Sequence, residues 1–147
     1  MKFGLINLFG AAVVAVMLIP NIVYAVCNRE EKNLCGNKVM RVLEQIGRYA
    51  CVILMWLPLL VREFGFGSVA EALVYTVGNV LLLSAYLIVF IKYLKKRTAR
   101  RAMALAVLPA CVFLLSGVLL RHWLLAGFAV LFTVGHIYVT KKNTGAG

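Results

Sequence analysis

A carboxylate, two phenols and an amide recur at helical spacing within one apolar stretch. Glu71, Tyr75, Asn79 and Tyr86 share an arc of about 100° when residues 69–91 are placed on a helix. Such a polar stripe is suited to bind a cation or a proton inside a membrane. We prefer a packing role, because Ser68 and Glu71 predict a capping box at the start of this helix. Asn79 would then make an interhelical hydrogen bond worth about 1 kcal/mol.

A second group of polar residues lies elsewhere in the chain. His136 shares a helix face with Thr133 in the last apolar stretch, and no carboxylate lies near it in the sequence. A hydrogen bond to a neighbouring helix is therefore preferred to a metal or substrate site. Glu44 and Arg48 have the four-residue spacing and the order that favour a salt bridge. We expect this salt bridge to lower the energetic cost of placing Arg48 at the membrane surface.

The composition limits what these residues can do. Of the 147 residues, 63% are hydrophobic and 14% are charged, whereas a soluble domain has about half and about a quarter. The sequence contains no Asp and no Walker, G-x-S-x-G or H-E-x-x-H motif. The composition therefore indicates an all-α integral membrane protein, for which we predict no catalytic residue, metal site or cofactor.

Five apolar stretches predict a single domain, residues 1–140, of five transmembrane helices. Crossing a hydrocarbon core of about 30 Å takes roughly 20 mostly apolar residues. The apolar part of the second span is only Tyr49–Val61, so we interpret it as a helix that begins as an amphipathic turn near the surface and then enters the bilayer. A re-entrant or interfacial segment is the alternative. Arg121 and His122 leave room only for a tight hairpin between the last two helices. The predicted spans are 3–26, 43–62, 69–91, 102–120 and 123–139, followed by a short basic, disordered tail at 141–147.

The basic residues orient this bundle. Lys and Arg concentrate in cytoplasmic loops, and an outside N-terminus with five spans places 13 of the 16 basic residues inside. The net charge of +11 thus reflects membrane topology, and nucleic-acid binding is not expected. The densest basic segment should also contact anionic lipid of the inner leaflet. It contains Lys92, Lys95, Lys96, Arg97, Arg100 and Arg101.

The first apolar stretch has an alternative interpretation as a cleaved signal peptide, because it ends in Val23-Tyr24-Ala25. Cleavage would move the segment 92–101 to the outside, against the charge bias, so an uncleaved first span is preferred. Cys27 and Cys35 are then expected to be reduced in the cytoplasm. A disulfide between them would require an oxidising compartment.

Two segments within Leu18–Pro58, LIPNIVYAV and VLEQIGRYACVILMWLP, resemble the N-terminal half of small polytopic bacterial membrane proteins whose activity is unassigned. The resemblance implies a multi-pass protein of a bacterial plasma membrane. It implies no activity and no functional residue.

Three functions are compatible with the sequence. Small residues recur every four positions at Ala102, Ala106 and Ala110, and such faces let helices pack closely within a monomer or in a homo-oligomer. The preferred hypothesis is a non-enzymatic helix-packing subunit or accessory protein of the inner membrane. The alternative is a small oligomeric transporter or channel with a polar path along the third span. A remote alternative is an intramembrane enzyme acting on lipid or isoprenoid through Glu44, Arg48 and His136.

Overall fold

The computed structural model describes residues 6–28, 33–61 and 65–145. These residues form five α-helices and no β-strand, which confirms the predicted all-α fold. The helices are α1 (Leu8–Cys27), α2 (Lys38–Trp56), α3 (Val69–Lys95), α4 (Ala99–Leu119) and α5 (Trp123–Asn143).

Short polar side chains define where the helices begin. Four of the five helices have a side chain before their first residue that accepts a hydrogen bond from the backbone N–H three residues on, an arrangement that satisfies an otherwise unpaired donor. These capping residues are Asn7, Asn37, Ser68 and Thr98. At the other terminus, α2 ends at Trp56 because Leu57 precedes Pro58 and is extended (φ −106°, ψ 107°). Helix α2 therefore starts and ends earlier than the predicted span 43–62.

The helices run alternately up and down, so the bundle has two distinct ends. At the first, the Asn7 side chain before α1 donates to the carbonyl of Met55 near the end of α2 (3.2 Å). Glu71 at the start of α3 pairs there with Arg121 after α4 (3.2 Å). We term this the Arg121 end. At the second, the N–H of Leu34 before α2 donates to the Oδ1 of Asn143 at the end of α5 (2.9 Å).

We term the second end the basic end, because most of the described basic residues lie there. The capping residues and the alternating order of the helices place on it the start of α2, the junction of α3 with α4 and the last turn of α5. Its basic residues are Lys38, Lys92, Lys95, Lys96, Arg97, Arg100, Arg101, Lys141 and Lys142.

Close backbone contacts hold the centre of the bundle together. A Cβ on Gly47 of α2 would lie 2.8 Å from the Cα of Phe132 in α5, and one on Gly117 of α4 would lie 2.8 Å from the backbone N of Ala126. Small residues at these contacts allow the helices to approach closely. The stripe of Ala102, Ala106 and Ala110 is likewise buried inside the monomer. Its small side chains therefore serve packing within the chain.

Four helices, α1, α3, α4 and α5, are long and apolar enough to cross a membrane. Helix α2 is not among them, because Arg41, Glu44 and Arg48 interrupt its apolar residues. The composition and fold are those of a multi-pass helical membrane protein. The expected hairpin is also observed, because only Leu120, Arg121 and His122 separate α4 from α5.

Candidate functional site

The most distinctive ionisable group in the described part of the chain joins α2 to α5. One carboxylate oxygen, Oε1 of Glu44, accepts a hydrogen bond from Nδ1 of His136 at 2.8 Å and another from the guanidinium of Arg48. The Glu44 side chain is only 8% exposed, whereas those of His136 and Arg48 are 21% and 43% exposed. We term these residues the Glu44 triad. A carboxylate buried in this way requires such partners, because an unpaired buried charge is costly.

Two glycines bring the backbones close enough for the triad to form. A Cβ on Gly135 would lie 2.8 Å from the backbone N of Glu44, one turn from the glycine contact at Gly47. The ring of Phe132 stacks on that of His136, with 4.8 Å between centroids and 18° between planes. The imidazole is therefore held both by the carboxylate and by an aromatic ring.

The hydrogen bonds also define the tautomer of His136. An ionised carboxylate only accepts hydrogen bonds, so Nδ1 must carry the hydrogen that it donates to Glu44. The second ring nitrogen, Nε2, then has a lone pair when the ring is neutral. A carboxylate-oriented imidazole with an available nitrogen is a typical proton acceptor.

Helices α3 and α1 extend the polar surroundings of the triad. The buried Tyr86 of α3 lies near Arg48 and near Asn21 on α1. Tyr86 belongs to the polar stripe predicted on the third span. Its position at the level of the triad was not predicted from the sequence.

The two central members of the predicted stripe lie in a separate polar cluster toward the Arg121 end. Tyr75 and Asn79 are both 2% exposed. The side-chain N–H of Asn79 donates to the carbonyl of Tyr75 at 2.9 Å and reaches Oγ of Ser116 in α4 at 3.5 Å. The buried Tyr75 hydroxyl lies near Ser116 and Asn7 but makes no hydrogen bond to a described residue. These contacts match the interhelical packing expected for Asn79.

Glu71 is only partly exposed and does not join this cluster. Its backbone N–H donates to Oγ of Ser68 at 3.1 Å, as expected for a capped helix. The return bond of a capping box is shifted by one residue, because Oε2 of Glu71 accepts from the N–H of Gly67 at 2.7 Å. Its other oxygen pairs with Arg121. Glu71 therefore closes the start of α3 and ties it to the α4–α5 turn.

An apolar layer separates the two polar clusters. Leu83 lies between Asn79 and Tyr86 along α3, and Phe113 packs edge to face against Phe132 at the same level, with 5.8 Å between centroids. The other predicted intramembrane polar residue, Thr133, donates to the carbonyl of its own helix at Ala129 (2.6 Å). Within the described residues, the third span and His136 do not line one continuous polar path.

The basic segment between α3 and α4 makes specific contacts as well as carrying charge. Nη1 of Arg101 donates to the carbonyls of Lys92 and Lys96, at 2.7 and 2.9 Å, and so satisfies acceptors at the end of α3. Arg97 binds the side chain of Asn28 and lies over the ring of Tyr24, 6.0 Å from its centroid. The other four residues of the segment are exposed: Lys92, Lys95, Lys96 and Arg100. Lys92 and Lys96 contribute only their backbone carbonyls to the bonds with Arg101.

His122, in the turn between α4 and α5, faces the interior of the bundle. The residue is fully buried, and its Nε2 donates to the carbonyl of Leu59 at 3.1 Å. Burial lowers the pKa of His122, whereas the bond to the Leu59 carbonyl opposes that shift. The left-handed conformation of Arg121 (φ 53°) turns the chain so that the N–H of His122 reaches the carbonyl of Gly117 (2.8 Å). This turn directs the imidazole inward.

The four cysteines are free thiols, and only Cys27 is exposed while Cys35 is buried.

The contact that the sequence analysis did not predict is the pairing of Glu44 with His136, which are separated by 92 positions. Glycines at matching places in α2 and α5, Gly47 and Gly135, are a local signal of it. Comparison of the chain with models of known protein families, with curated proteins and with solved structures found no match.

Proposed function

We propose that the chain crosses a bacterial plasma membrane five times, with its N-terminus outside and its basic end in the cytoplasm. The support is the uneven distribution of charge. The described part of the Arg121 end has one basic residue, Arg121 itself, and Glu71 pairs with it. The lysines and arginines of the basic end suit contact with anionic lipid of the inner leaflet.

The length of α2 supports the proposal that this helix also crosses the membrane, which brings the number of spans to five. Its contacts with α5 place Glu44 beside Gly135 and Gly47 beside Phe132, in antiparallel register. Extending this register along both helices sets Lys38 opposite Lys141. Helix α2 then accompanies α5 along its whole length. A 19-residue helix is about 28 Å long, close to the thickness of the hydrocarbon core.

We propose that the protein works as a helix-packing subunit or accessory protein. The observation that carries this proposal is the packed interior, in which polar side chains from different helices contact one another on either side of an apolar layer. Helix α1 also buries only Gly10, Val14, Met17 and Pro20, and so leaves most of its circumference for lipid or another helix. A transporter would need a polar path, which the described residues do not line in this conformation.

The orientation has a direct test with a membrane-impermeant maleimide on intact cells. Cys27 is exposed at the basic end, and Leu60, 91% exposed, lies at the Arg121 end beyond α2. In chains with one cysteine each, we expect labelling of Leu60→Cys in intact cells and of Cys27 only after the membrane is opened. Labelling of Cys27 in intact cells would reverse the orientation, whereas labelling of both or neither position would contradict an odd number of spans between these sites.

The accessory role predicts a specific neighbour for the exposed face of α1. A photo-crosslinking residue in place of Ile19, which is 56% exposed, should give a discrete product containing another membrane protein. Val130 on α5 is 53% exposed and provides the matched control position. Only monomer at both positions, identical products at both, or a product of twice the monomer mass would count against an accessory role.

A further inference from the structure

We propose that the Glu44 triad is a proton-binding site inside the membrane part of the bundle, with Nε2 of His136 as the acceptor. This goes beyond the accessory role and does not depend on it. The proton comes from water at the basic end and forms a bond with the Nε2 lone pair, which converts the neutral ring to imidazolium. The charge of the triad rises from zero to one, because Glu44 stays anionic and Arg48 stays cationic.

The position of the triad in the bundle supports exchange with the basic end. Glu44 lies six residues after the start of α2, and His136 lies seven residues before the end of α5. At about 1.5 Å per residue, both are roughly 10 Å from those helix ends. On the opposite side, Phe132 and Leu83 separate the triad from the Arg121 end.

Two charged side chains in the triad act in opposite directions on a proton at His136. The carboxylate of Glu44 contacts Nδ1 directly and stabilises the imidazolium, whereas Arg48 opposes it. Arg41 lies one turn nearer the basic end of α2, α3 contributes Tyr86, and α1 contributes the uncharged Asn21.

Helix α4 adds no charge at the level of the triad. The residues that it buries there are Ala106, Ala110 and Phe113, none of which titrates. Glu44 and Arg48 are therefore the charged side chains in direct contact within the site.

The test is an NMR titration of the full chain in phospholipid nanodiscs with labelled histidine. The sequence has only two histidines, so each gives its own signal, and His122→Gln identifies them. We expect the neutral ring of His136 to be the Nδ1–H tautomer and to take up a proton at Nε2 as the pH is lowered. Glu44→Gln should lower its proton affinity about tenfold, because an opposite charge in contact is lost.

Arg48→Gln should have the opposite effect and raise the proton affinity of His136, because a competing cation is removed. The signal of His122, buried at the Arg121 end, reports in each variant that the fold is retained. If Glu44→Gln unfolds the chain, the Arg48→Gln shift still decides the matter. The proposal is overturned if His136 remains neutral down to pH 5, or if a folded variant shows no shift or one of the wrong sign.

Discussion

Replacing Glu44 with alanine is expected to lower the free energy of unfolding by about 3 kcal/mol. Removing one partner of a buried ion pair leaves uncompensated charge, which costs about 3 to 5 kcal/mol. The lower value applies here, since Arg48 is half exposed and can turn toward the interface. Unfolding in mixed SDS micelles, followed by helical circular dichroism, measures the change.

The ion pair between Glu71 and Arg121 provides the matched control for Glu44→Ala. Its side chains are 32% and 57% exposed, so solvent screens the interaction. Glu71→Ala should therefore cost less than about 1 kcal/mol, the usual value of a surface salt bridge, together with a small loss of helix capping. Equal losses from both substitutions would show that burial does not distinguish the Glu44 triad from a surface pair.

Replacing Gly135 with alanine is expected to lower the free energy of unfolding by about 2 kcal/mol. The new methyl group would lie 2.8 Å from the backbone N and 2.9 Å from the Cα of Glu44, and a backbone cannot move aside as a flexible side chain can. Overpacking of this kind costs about 1 to 3 kcal/mol. The same displacement should separate Glu44 from His136. The micelle unfolding assay measures the stability, and the histidine NMR signals report the altered contact.

Gly127 lies two turns earlier in the same helix and is the control for Gly135. A Cβ there meets no heavy atom within 4 Å. Gly127→Ala should thus leave stability unchanged or raise it by up to about 1 kcal/mol, because alanine restricts the unfolded chain and favours the helix. A destabilisation similar to that of Gly135→Ala would contradict the close approach of α2 and α5.

Within single helices, much of the structure follows directly from the sequence. The capped start of α3 follows from Ser68, whose Oγ accepts a hydrogen bond from the backbone N–H of Glu71. The salt bridge of Glu44 with Arg48 follows from their spacing on one helix. The burial of Glu44 does not follow from the sequence, because the charges on α2 suggest a helix that begins at the membrane surface. The contact with α5 that buries it involves residues far away in the chain.

The sequence by itself determined the all-α fold, the four strongly apolar helices, the capped start of α3 and the segregation of charge along the chain. These properties depend on each residue and its near neighbours, through apolar length, capping and helical spacing. Only the tertiary structure decided that Glu44 meets His136, that His122 turns inward and that the polar stripe of α3 is divided between two clusters. Those outcomes depend on how closely two backbones approach, and Gly47 and Gly135 permit that approach only when α2 and α5 lie in one register.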